Sequence, residues 1–109
     1  MNDANLTEAR ALIARDFELE TSDSSNLTEA ELLELLAEQV AWHIEHRLEW
    51  LLSLMYRLDI DEQKVSRALS PLAEEPANVA IARLVIERQK QRAFTKAHYK
   101  QPHTDNWDF

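Results

Sequence analysis

No cysteine and no glycine occur among the 109 residues of this chain. Without cysteine there is no disulfide, no thiolate nucleophile and no Cys-ligated zinc. Without glycine, phosphate-cradling loops, dinucleotide fingerprints, nucleophile elbows and tight hairpin turns lose the residue that best fits their backbone angles. Most nucleotide-using enzymes are thereby disfavoured, and a chain rich in Leu, Ala and Glu is left to be all-α. No apolar run approaches a membrane span, because Glu, His and Arg interrupt the longest one. The first residues, MNDANLTEAR, lack a basic start followed by an apolar core, so no signal peptide is expected and the cytoplasm is the default compartment. In that compartment the sequon-like triplets Asn5-Leu6-Thr7 and Asn26-Leu27-Thr28 read as helix starts.

What is present is organised around Thr28 to Leu58. At 100° per residue, Leu33, Leu36, Val40, Ile44, Leu51, Leu54, Met55 and Leu58 fall on one arc. Glu31, Glu34, Glu38, Glu45 and Glu49 fall opposite, with Trp42 among them. Thr28 with Glu31 reads as a capping box, and Asn26 with Glu29 offers the same box two residues earlier. An unbroken helix over this stretch is about 45 Å long. A compact domain of this size has a radius of gyration of about 13 Å. Such a rod needs an elongated bundle, a second subunit or a break. Arg47 lies inside the apolar arc and His43 at its edge. A core-facing arginine needs either a partner or a route for its head to solvent.

The flanking segments are shorter. Asn5 to Glu20 reads as a first helix, with Asn5 and Glu8 as its box and a weak apolar face of Leu6, Ala9, Leu12, Ile13 and Phe17. TSDSS at residues 21–25 reads as a linker, so this helix is expected as a loosely docked arm. Asp59 with Glu62 suggests a box opening a short helix through Leu69, with Val65, Ala68 and Leu69 inward and Ser70-Pro71 ending it. Asp59 and Asp61 do not make a calcium loop, because its sixth and twelfth positions are Lys64 and Ser70. Pro76 suits the first turn of a last helix over 77–100. Its broad apolar arc of Val79, Ile81, Ala82, Leu84, Val85, Ile86, Ala93 and Ala97 is interrupted by Arg88 and Gln89. The expected division is 1–25 as helical arm and linker, 26–101 as bundle core, and 102–109 as a tail carrying Trp107 and Phe109.

At MYRLDIDE (Met55 to Glu62) and VIERQKQR (Val85 to Arg92) the chain resembles small uncharacterised all-helical bacterial proteins. The resemblance implies no activity. It implies only that Arg57, Asp59, Arg88 and Gln89 belong to a shared structural core.

Charge is uneven beneath the net −8. Residues 1–76 hold 6 basic and 17 acidic side chains, whereas residues 77–101 hold 6 basic and 1 acidic. Arg88, Arg92, Lys96 and Lys100 recur at i,i+4 spacing, where cations suit the negative end of the helix dipole. This basic stripe and the acidic stripe of the central helix are complementary, within one chain or between two.

Three functions follow as expectations. The first is a non-catalytic interaction or scaffold protein, a homodimer without cofactor, using Trp42, Arg47, Trp50, Arg57, Asp59, Arg88 and Gln89 as interface or buried polar network. The large aromatics Trp42 and Trp50 lie off the centre of the apolar arc, which is what points to an interface. The second is a ligand or metal site using His43, His46, Arg47 and Glu49. A di-metal bundle site wants Glu-x-x-His motifs from two helices, and the chain has none, so no metal is expected. The third is a weak nucleic-acid binder through the basic helix, which the acidic whole-chain charge opposes. The fold expected is an antiparallel helical bundle with one long central helix, three main helices and a short N-terminal helix.

Overall fold

A computed structural model describes residues 3–19 and 27–98, and among them every regular element is a helix. The elements are α1 (Asp3–Asp16), α2 (Glu29–His46), α3 (Leu48–Arg57), α4 (Glu62–Ala68) and α5 (Ala77–His98). The linker at 21–25, Asn26, Lys100 and the tail with Trp107 and Phe109 lie outside the described residues.

Helix starts follow local chemistry, with two displacements. Thr28 caps α2 as expected: its side chain accepts from Glu31 N (3.2 Å), and Glu31 Oε1 accepts from Thr28 N (2.9 Å). Helix α1 already includes Asp3 and Asn5, so the expected cap Asn5 lies inside it. Helix α4 is capped by Asp61, whose carboxylate accepts from Gln63 N at 2.8 Å, and not by Asp59. Pro76 precedes α5, and its carbonyl accepts the first helical bond, from Ala80 N at 2.9 Å.

Helix ends show what a chain without glycine does instead. Helices α1 and α3 both close by the six-to-one bond of a Schellman turn, Leu19 N to Ala14 O (2.8 Å) and Ile60 N to Met55 O (3.1 Å). The left-handed residue that such a turn requires is Glu18 (φ 56°) in one and Asp59 (φ 60°) in the other. This explains why Asp59 does not cap α4: its backbone already closes α3. A side chain bearing Cβ is disfavoured there by about 1–2 kcal/mol. Glu18 is exposed. Glu18→Gly is therefore expected to stabilise the protein by about 0.5–1 kcal/mol, once the larger unfolded-state entropy of glycine is offset. A higher denaturant midpoint at unchanged slope is the expected result, and a lower midpoint contradicts it.

The long central helix is broken, one of the three outcomes its length left open. Arg47 sits at φ −145°, ψ 53°, outside the helical region, between the last residue of α2 and the first of α3. No Gly or Pro stands at this point, so no local signal marks it. The break resets the 100° count. Arg47, placed in the apolar arc by a straight helix, is exposed, and Trp50 turns inward to half-buried. The buried stripe of α2 is Leu32, Leu36, Ala37, Val40 and His43, while Leu33 and Ile44 are only half-buried. The true stripe thus lies to the His43 side of the expected one.

The core is one cluster to which every helix contributes. Leu32, Leu36 and Val40 of α2, Leu51, Leu54 and Met55 of α3, Val65 and Ala68 of α4, and Ile81, Val85 and Ile86 of α5 are all buried in it. Helix α1 is part of this core and not a loosely docked arm, since Ala9, Ile13, Ala14 and Phe17 are all buried. Arg10 ties its middle to the entry of α2, donating to Leu27 O at 2.5 Å. Among the described residues the acidic stripe of α2 and α3 makes no ion pair with α5, whose cations pair elsewhere. Lys90 of α5 meets both oxygens of Glu29 at 3.0 Å, and Lys96 meets Glu8 of α1 at 3.1 Å. No helix among the described residues is long and apolar enough to cross a membrane.

Candidate functional site

The break at Arg47 gathers the aromatic residues. Phe17, just past the end of α1, lies 5.8 Å from the His43 ring in a stacked arrangement and 5.9 Å from Trp50 edge-on. His43 meets Trp50 edge to face at 4.4 Å and Trp42 at 5.1 Å. The Arg47 guanidinium lies 5.4 Å from the Trp50 centroid. Such ring pairs contribute about 0.5–1.5 kcal/mol each beyond area burial. The cluster therefore fixes how α1, α2 and α3 meet at the break. Trp42 covers its outer side, 49 % exposed, against the exposed His46 at 4.9 Å.

His43 and His46 do not share an environment with Glu49. His43 is buried, whereas His46 and Glu49 are exposed, and Glu49 lies beyond the break on α3. Among the described residues no three His, Asp or Glu side chains converge as metal ligands would. His43 Nδ1 is buried without a hydrogen-bond partner among the described residues. Burial, and then the positive charge of Arg47, hold the His43 pKa below its ordinary 6.5. A histidine depressed in the fold binds its proton more readily when unfolded. Stability is therefore full above 6.5 and falls as pH drops below it. Thermal melts taken from about pH 7.5 to about pH 5.5, above the carboxylate range, are expected to show a falling midpoint for the native chain. His43→Phe should flatten that decline, and an equal decline in both would contradict the assignment.

The residues expected to form one polar core separate in the structure. Gln89 is fully buried and donates from Nε2 to Asp16, across the α1–α5 contact. Its Oε1 has no partner among the described residues. Asp16 also meets Arg15 at 3.3 Å. Arg88 is half-buried, donates from Nε to Leu58 O at 2.7 Å, and approaches Asp59 at 3.9 Å. It thus clamps the closing turn of α3. Arg57 is exposed and outside this arrangement.

One feature lay outside the expected site. Helix α3 buries Leu51, Leu54 and Met55, yet Leu48 (39 % exposed), Leu52 (38 %) and Tyr56 (76 %) form a second row at i, i+4 and i+8. Their spacing is readable in the sequence, beside the arc through Leu51 and Met55. Two concave regions lie elsewhere among the described residues. A cleft of about 1030 Å³ between α4, the 70–76 segment and α5 holds charges of both signs, including the Arg83–Glu75 pair at 3.2 Å. A smaller groove of about 470 Å³ lies between α1 and α5.

No protein-family model matches the chain, and neither a curated protein nor a solved structure matches it significantly.

Proposed function

We propose that this chain is a small non-catalytic interaction protein of the bacterial cytoplasm that associates with a second copy of itself through α3. The observation that carries the reading is the exposed row Leu48, Leu52 and Tyr56, which flanks the positions of α3 already in the core. An apolar arc that continues past its buried positions has more to bury than this small chain covers. Rows spaced by four are the ridges that helices interdigitate. A two-fold axis at Leu52 sets each Leu48 against the partner's Tyr56 and makes the surface self-complementary. Trp42, half-exposed on the other side of the break beside His43 and His46, is a separate exposed residue of the type most enriched at interfaces.

The frame for this interface is an antiparallel bundle in which α1 and α2 both run against α5. Its support is the order of cross-helix contacts. Glu29 pairs with Lys90 and Ala37 O with Asn78, so numbers rise on α2 as they fall on α5. Glu8 with Lys96 and Asp16 with Gln89 follow the same rule on α1. The acidic stripe makes no ion pair with α5 among the described residues, and the apolar row, not charge, is what drives association in this reading.

Leu52→Lys tests the placement. It puts a charge at the centre of the row without entering the core, so helical content should be retained. Size-exclusion with light scattering should show the dimer dissociation constant raised tenfold or more, the loss expected for a central interface residue. Unchanged association of Leu52→Lys would remove α3 as the interface.

A further inference from the structure

The groove between α1 and α5 is lined by Leu12, Arg15, Arg88, Arg92, Thr95 and Lys96. Four of its six lining residues are cationic and none is acidic, on a chain of net charge −8. We infer that this groove is a binding site for a small phosphorylated anion, a compact molecule carrying two or three phosphate groups. The site is separate from the α3 row and its reading does not depend on self-association.

The cations come from two helices. Arg88, Arg92 and Lys96 follow at i,i+4 on α5, and Arg15 faces them from the last turn of α1. Favourable contact with the helix dipoles accounts for Arg15 and Lys96, in the last turns of α1 and α5, but not for Arg88 and Arg92. It does not account for their convergence on one concavity. Arg88 is pre-positioned, because its Nε is held by Leu58 O and its stem is half-buried. Arg92 is half-buried, and none of its five donors is engaged by a described residue. Guanidinium groups match phosphate oxygens two at a time, which is why arginines, three here, suit this ligand better than lysines would. The Thr95 hydroxyl adds a neutral donor and Leu12 an apolar wall for whatever carries the phosphates. Arg15 and Lys96 are at present paired with Asp16 and Glu8, but both cations are largely exposed. Exposed pairs are weak and exchange readily for a multivalent anion.

The size of the ligand follows from what surrounds the groove. A volume of about 470 Å³ is that of a small-molecule site. Glu8, Asp16 and Asp59 stand at the partners of its cations and fence it. A long polyanion such as nucleic acid would have to run past these carboxylates and against the charge of the whole chain, while a compact anion would not.

The test is isothermal titration of the full chain with inorganic tripolyphosphate at low salt, alongside a single-stranded oligonucleotide. Saturable binding of one tripolyphosphate per chain is expected. Arg92→Gln and Arg15→Gln should each weaken it about tenfold, as loss of one charged hydrogen-bonding group does, with the thermal melt unchanged. Arg67→Gln, at an exposed position of α4 outside the groove, should leave it intact. Absence of saturable binding, binding indifferent to both groove substitutions, or tighter binding of the oligonucleotide than of tripolyphosphate would each overturn the inference.

Discussion

Gln89→Glu is expected to lower the unfolding free energy by about 3–5 kcal/mol at neutral pH, the cost of an uncompensated charge in a buried site. Gln89 is fully buried, and its amide donates to the Asp16 carboxylate. The substitution keeps the shape and replaces the donor by a second carboxylate. Like charge and burial both raise the new carboxyl's pKa in the fold above its unfolded value. For an acid raised in this way the cost is present above the folded pKa and vanishes below the unfolded one. The deficit relative to the native chain should therefore shrink as pH falls through the carboxylate range. Gln89→Leu, which fills the same space without charge, should cost only about 1–3 kcal/mol for the unpaired Asp16. Urea midpoints of the three proteins at two pH values decide the matter. Equal stability of Gln89→Glu and Gln89→Leu at neutral pH would mean that Asp16 and residue 89 do not meet.

Phe17→Ala should cost about 3–5 kcal/mol, the range for deleting a buried aromatic ring. The ring packs on His43 and Trp50 and belongs to the central apolar cluster. Its loss opens a cavity where α1 meets the α2–α3 break, and Trp50 emission should shift towards that of a wetter indole. A change within about 0.5 kcal/mol, the size of a surface substitution, would instead describe a first helix that hangs loosely beside the bundle.

The parts of the fold legible in the sequence are the local ones. The Thr28–Glu31 box is written in four consecutive residues and is found as written. The glutamate face of α2 and α3 is exposed as its spacing requires. Local signals fail where tertiary structure chooses the backbone. Arg47 breaks the central helix without Gly or Pro, and helix propensity is too weak a prior to resist packing. Glu18 and Asp59 occupy left-handed turn positions that sequence reading reserves for glycine or asparagine. Each such departure carried an error of placement with it: Arg47 outward, Trp50 inward, the α4 cap from Asp59 to Asp61. The groove was half legible. Arg88, Arg92 and Lys96 show as a stripe, but Arg15 lies on another helix, and only the α1–α5 contact brings it across. Gln89 was visible as an intruder on an apolar arc, yet its partner Asp16 is 73 residues away, beyond any local pattern.

Self-association is the claim on which the functional account turns, and sedimentation equilibrium of the native chain at micromolar concentration measures it directly. The expected result is a mass of twice the 12.7 kDa chain, falling to the single-chain mass in Leu52→Lys with helical content retained. A single-chain mass for the native protein across the micromolar range would contradict it.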